Sequence, residues 1–473
     1  MVFSSAIFLF AFFPFYLLAV SCVRNIRVSN AILLVMSLLF YAWGEPVYLL
    51  LMLASMGVNY LLALPAETCR EDERIKRHAM VSLIVVFNLT LLGVFKYAGF
   101  AVASLNALLG TGLPVPEIPL PVGISFFTFQ TMSYGIDVYR GTCDVQRQPV
   151  KFMLYVSFFP QLIAGPIVKY HDIEAQLSRR SNDAGEIAEG IRRFIIGLSK
   201  KLLLANVFGQ TADRIYSLDS GDLNILLAWA AAITYCLQIY FDFSGYSDMA
   251  IGLGRMAGFT FMENFNYPYI AGSLRDFWKR WHISLTTWFR EYVYFPLGGN
   301  RKGLLRTGVN RMTVFLLTGL WHGAMWTFVL WGAFHGVFQL LETYAVHPQR
   351  WKRRFLAHLY TLAVVAAGFV IFRADSLGQA GVLIGNLLIG FRFTETGLAE
   401  IMALCTPFHL LMLAVGIAAC TPLLSDTAGR LAVKWENRRA VIGVKYAASL
   451  VLLALCVMSL AASTYNPFIY FRF

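Results

Sequence analysis

Apolar residues run along this chain in blocks long enough to cross a bilayer. A helix rises about 1.5 Å per residue, so a hydrocarbon core of about 30 Å takes about 20 mostly apolar residues. Such runs recur at 5–23, 30–43, 47–64, 79–98, 120–138, 193–210, 224–243, 312–330, 355–372, 401–422 and 441–461. The pattern predicts an all-α polytopic membrane protein with about 11 transmembrane helices. No long polar stretch separates the runs, so residues 1–473 read as a single integral membrane domain.

Two stretches depart from the simple span. In KFMLYVSFFPQLIAGPIVKY (151–170), Pro160, Gly165 and Pro166 interrupt any helix. The loops on either side, 140–151 and 169–201, are both basic and belong on the same face. A re-entrant segment fits, and backbone broken at membrane depth implies an internal cavity near 158–168. A Pro-kinked span with topology shifted by one is the alternative. In 275–311, Arg275, Lys279, Arg280, Arg290, Arg301, Lys302, Arg306 and Arg311 face only Asp276 and Glu291. Helical spacing puts Trp278, His282, Leu285 and Phe289 on one stripe, which predicts an interfacial amphipathic helix with His282 on its buried side. Leu297-Gly298-Gly299-Asn300 then predicts a turn.

Composition agrees: 58% of residues are hydrophobic and 14% charged, where soluble chains carry about 25% charged. The net charge of +12 does not signal nucleic acid, because the cations sit in particular loops. Arg24, Arg27, Arg70, Arg74, Lys76 and Arg77 mark cytoplasmic loops, while 99–119 and 216–222 hold no Lys or Arg. This places the N-terminus on the periplasmic side. The first run has no basic residues before it, so it reads as a transmembrane helix although Ala19-Val20-Ser21-Cys22 faintly resembles a lipoprotein cleavage site. The seven cysteines (22, 69, 143, 236, 405, 420, 456) form no CxxC or zinc spacing and read as free thiols.

Candidate chemistry centres on two Trp-His pairs, Trp281-His282 and Trp321-His322. From Val314 to Phe334 the only ionisable residue is His322. A charged group at a helix centre costs roughly 2.5–3.5 kcal/mol on insertion scales, so such a residue is a functional-site candidate. A neutral imidazole can take a proton from a hydroxyl, an effect of about 10²–10⁴-fold; a histidine hydrogen-bonded in a helix interface is the structural alternative. Asp242, Tyr246 and Asp248 near the end of one span need partners, most simply from the basic region. Gln130, Tyr134 and Asp137 dot another apolar run. His335 lies thirteen residues past His322, nearly opposite it on one straight helix, and Arg373 also sits beside an apolar segment. Nothing in the spacing supports a metal.

These residues stand in blocks that resemble the membrane-bound O-acyltransferase superfamily, in the branch holding the membrane subunit of bacterial alginate O-acetyltransferase. The blocks are FFTFQTMSYGIDVYRG, FFPQLIAGPI, FDFSGYSDMAIGLGRMAGFTFMENFNYPY, DFWKRWHISLTTWFREYVYFPLGGNRKG, GLWHGAMWTFVLWGAFHG and the C-terminal FIYFRF. The resemblance implies tilted helices around a central tunnel, with a catalytic core at about 120–345. It puts the family's essential histidine at His322 and the second motif position at His282. The tunnel lining is expected from Trp281, Trp321, Asp242, Tyr246, Arg275, Ser284, Arg290, Gln130 and Tyr134. Glu291 stands where the family pattern carries Asp, which keeps the charge.

The resemblance implies acetyl-CoA as the donor substrate, no bound cofactor, the bacterial inner membrane, and periplasmic acetyl-relay proteins of an exopolysaccharide system as partners. Alginate and cellulose are both expected acceptors. A D-alanyl transferase of teichoic acids, fed by an aminoacyl carrier protein, is the rival enzyme. A transporter is a remote rival, since no internal repeat joins the two halves.

Overall fold

The computed structural model describes residues 1–67, 74–434 and 438–469, and the regular elements among these are all helical. Arg70, Cys69 and the last four residues of FIYFRF lie outside the described residues.

Among the described residues, five helices are long and apolar enough to cross a membrane: Pro46–Ala66, Ile75–Leu109, Ile225–Met256, Arg354–Arg373 and Arg439–Ala462. The pair Glu395–Leu404 and Pro407–Ala419, bent by 64°, makes a sixth if counted as one span. Its break is local chemistry: the Thr406 side chain accepts from His409 N, and Pro407 opens the second helix. The fold is thus a multi-pass helical membrane protein; of the roughly eleven expected spans, five or six have the length and composition of a full crossing among the described residues. The first two expected spans are the shorter helices Phe8–Cys22 and Ile26–Ala42.

The chain divides into two compact units. The first comprises Met1–Phe194 and Tyr246–Met262. Its broken segment runs as the helix Pro149–Ser157, a turn of helix at Phe159–Leu162, and irregular backbone thereafter. Side chains satisfy the interrupted backbone: Ser37 Oγ accepts from Phe159 N at 3.1 Å, and Tyr155 OH donates to Val168 O at 3.2 Å. A Cβ at Gly165 would lie 2.5 Å from Gln161 Cα, so only glycine allows the chain to fold back this closely. Every residue from Leu154 to Tyr170 is buried. Near the expected cavity, Phe159 packs on Phe3, Phe8, Phe12, Tyr16 and Phe40 with centroids 5.2–6.4 Å away.

The second unit comprises Ile195–Gly245 and Glu263–Phe473. Its tightest packing is between the helices Gly303–His322 and Trp326–Tyr344. A Cβ at Gly319 would overlap the carbonyl oxygen of Phe328, and one at Gly332 would meet Phe315 O at 2.5 Å. Small residues let the backbones touch, as in membrane helix pairs generally. The expected span 312–330 is therefore not one helix, because the chain reverses at 323–325. The amphipathic helix expected in 275–311 is also split, into Leu274–Arg280 and Ile283–Phe289. The stripe through Trp278 and Phe289 does not exist as one face. The turn after it does, with Gly298 and Gly299 at φ 105° and 57°.

Candidate functional site

The break between the two short helices falls on His282, which adopts φ 43°, a left-handed conformation rare for a side-chain-bearing residue. Asn264 holds it. The Asn264 backbone carbonyl accepts from Ile283 N at 3.0 Å. Its side-chain oxygen accepts from Ser284 N at 3.1 Å and from Ser284 Oγ at 2.9 Å, and lies 3.2 Å from His282 Nδ1. All three residues, Asn264, His282 and Ser284, are buried. The His282 ring stands edge-on to Phe243 at 4.6 Å and to Trp321 at 6.0 Å.

His322 ends the helix Gly303–His322 and is 9% exposed. Aromatic rings surround it edge-on: Trp321 at 4.9 Å, Phe372 at 5.0 Å and Trp331 at 5.3 Å. Beside it lies a cavity of about 10 Å³, room for a single water. The lining includes His322, Phe243, Trp281, Trp331, Phe372 and Ile469. Phe243 thus touches His282 and also walls the cavity at His322.

Of the expected site residues, the second unit gathers His282, Ser284, Trp281, Trp321 and His322 through these contacts. Trp281 stacks on Phe277 at 5.6 Å and faces the cavity. Asp242 is buried but makes its ion pair with Lys201 at 2.9 Å, not with the basic region, and its second oxygen accepts from Ile469 N at 2.9 Å. The buried pair binds the C-terminal segment that lends Ile469 to the cavity. Arg275 and Arg290 have exposed side chains; Arg290 lies 3.6 Å from Glu291. Arg373 pairs with Asp213 at 2.6 Å.

Gln130, Tyr134 and Tyr246 belong to the first unit and make their contacts there. Tyr155 OH donates to Gln130 O at 3.2 Å, Gln146 N donates to Tyr134 OH at 2.9 Å, and Tyr246 stacks on Phe3 at 4.6 Å. Asp248 pairs with Arg193, Nε to oxygen 2.8 Å, again a partner outside 275–311. Asp137 binds His171 Nδ1 at 2.9 Å, and this hydrogen bond raises the His171 pKa above its usual value.

His322 and His335 are not set on opposite faces of one straight helix, because the chain turns between them. Both rings contact Trp331, at 5.3 and 5.0 Å. Sequence reasoning also missed Asn264. It stands eighteen residues from His282 with no periodic link to it, and its one signal was an amide amid the apolar residues of FMENFNYPY.

Residues 144–373 match the family model for MBOAT, the membrane-bound O-acyltransferase family. Over the whole length of both chains, the protein is 38% identical to the "Probable alginate O-acetylase AlgI" of Pseudomonas putida. It is 35% identical to the peptidoglycan O-acetyltransferase of Helicobacter pylori over 80% of this chain and 78% of that one. It is 28% identical to the teichoic acid D-alanyltransferase of Bacillus subtilis over 59% of this chain and 78% of that one.

Proposed function

Because the chain belongs to the membrane-bound O-acyltransferase family, we propose that this acyltransferase moves acetyl groups across the bacterial inner membrane for O-acetylation of an exopolysaccharide, alginate in the first instance. The observation that carries this reading is full-length similarity at 36–38% identity to probable alginate O-acetylases of three bacteria. None of the relatives described above is named for cellulose, the other expected acceptor.

His322 is the general base of this reading. It takes the proton of the attacking hydroxyl as the oxygen bonds to the acetyl carbon. The thioester bond of acetyl-CoA breaks, and the sulfur leaves as thiolate and recovers a proton. The aromatic wall keeps water from competing for the acetyl group. His282 contributes a polar contact beside it. Trp281 and Trp321 shape the lining, Ser284 supports His282, and Asp242 secures the wall that carries Ile469. The exposed Arg275 and Arg290 attract the phosphates of the donor from the cytoplasm. The N-terminus is periplasmic, the catalytic core spans about 120–345 within one functional domain, and a periplasmic relay protein receives the acetyl group.

The test is to remove the gene product from its host and measure base-released acetate and D-alanine in each envelope polymer. Loss of acetate from one exopolysaccharide is the expected result. Loss of D-alanine with acetate unchanged would move the chain to the teichoic acid branch, and loss of neither would overturn the reading.

A further inference from the structure

The contacts around Asn264 fix more than a turn. Ser284 N is a backbone amide and can only donate, so the Asn264 atom it meets at 3.1 Å is the carbonyl oxygen, not the amide nitrogen. That oxygen offers lone pairs only. The ring atom of His282 lying 3.2 Å from it, Nδ1, can bond that oxygen only by bringing the hydrogen; the Ser284 hydroxyl, at 3.5 Å, is the more distant neighbour of the same nitrogen. In a neutral imidazole, a proton on Nδ1 leaves the lone pair on Nε2. The same asparagine holds the left-handed backbone of His282 through Ile283 N and Ser284 N. One residue thus sets both the direction of the ring and the nitrogen that carries its proton.

From this geometry we infer that Asn264 is a positioning residue for acyl transfer, locking His282 as the Nδ1–H tautomer so that Nε2 serves as the acceptor in the site. This rests on the acetyltransferase reading for its consequence and on geometry alone for the tautomer. Asn264 touches no reacting atom; it acts through His282. Nearly isosteric replacement by aspartate keeps an oxygen for Ser284 N and Nδ1–H, so the turn survives. A carboxylate there favours imidazolium, which has no lone pair at Nε2. Alanine removes the acceptor altogether.

The experiment has two readouts on the full-length chain in lipid nanodiscs. Nitrogen-15 spectra of histidine-labelled protein, with the His282→Asn spectrum subtracted, report the protonation of the two ring nitrogens. Acetyl transfer from acetyl-CoA to alginate oligosaccharide, with the relay protein present, is followed across pH. The wild-type ring is expected neutral and protonated on Nδ1. Asn264→Asp should express normally, show a cationic ring at neutral pH, lose at least tenfold in rate there, and recover as pH rises. Asn264→Ala should lose at least tenfold at every pH. A wild-type ring protonated on Nε2, or an Asn264→Asp pH profile coincident with wild type, would overturn the inference. A wild-type chain that transfers no acetyl group counts against the proposed function, while the nitrogen spectrum still decides the tautomer.

Discussion

The His282 imidazole meets the Trp321 indole edge-on, with ring centres 6.0 Å apart. The same indole lies 4.9 Å from His322. Two histidines forty residues apart in sequence therefore share one aromatic wall, although one sits at the break before a short helix and the other ends a long one. The tryptophan holds the spacing of the two polar rings as a rigid body. Trp321→Ala should lower acetylation at least tenfold at normal protein level, and Trp321→Phe should keep more activity than alanine. The check is polymer-bound acetate normalised to membrane-inserted protein.

His282 sits at φ 43°, where asparagine is among the better-tolerated residues. An asparagine at this position can donate its amide N–H to Asn264 and present its own oxygen in place of Nε2. His282→Asn is expected to leave more acetylation than His282→Ala. Equal loss in the two variants would show that the ring itself is required.

The pair of helices that carries Trp321 and His322 depends on Gly319 and Gly332. A valine at Gly332 would push against Phe315 O, and overpacking of this kind costs about 1–3 kcal/mol or more. Gly332→Val should lower the thermal midpoint of the detergent-solubilised protein and reduce its level in membranes. An unchanged midpoint would mean that the helices can separate at no cost.

In the first unit, the hydrogen bond to Asp137 raises the His171 pKa. A raised folded-state pKa stabilises the protein below the unfolded-state value, and that stabilisation is lost as pH rises through the folded-state value. His171→Gln should thus lower the thermal midpoint more at mildly acidic pH than at alkaline pH. Midpoints measured across that range for both proteins test the sign.

The sequence made the membrane class, the helical content and the two Trp-His pairs legible, because composition and apolar run length respond directly to the bilayer. Run length alone did not separate full-length spans from shorter apolar helices, because apolar runs serve two purposes. Ile26–Ala42 is apolar but short, and 312–330 is apolar yet reverses at 323–325. Periodicity could not show that reversal, since glycine at 319 and 332 acts through the partner helix rather than through its own. For the same reason the partners of Asp242 and Asp248 were misassigned: Lys201 and Arg193 reach them across tertiary packing. The broken backbone around Pro160 was readable from Pro and Gly, whereas the rings that fill its surroundings come from the first forty residues.

The most direct test replaces His322 with alanine in the native host and compares base-released acetate from the purified exopolysaccharide with wild type at equal membrane protein level. Loss of the acetate, with insertion unchanged, is the predicted result; a fully acetylated polymer made by a well-inserted His322→Ala chain would contradict the role given to this histidine.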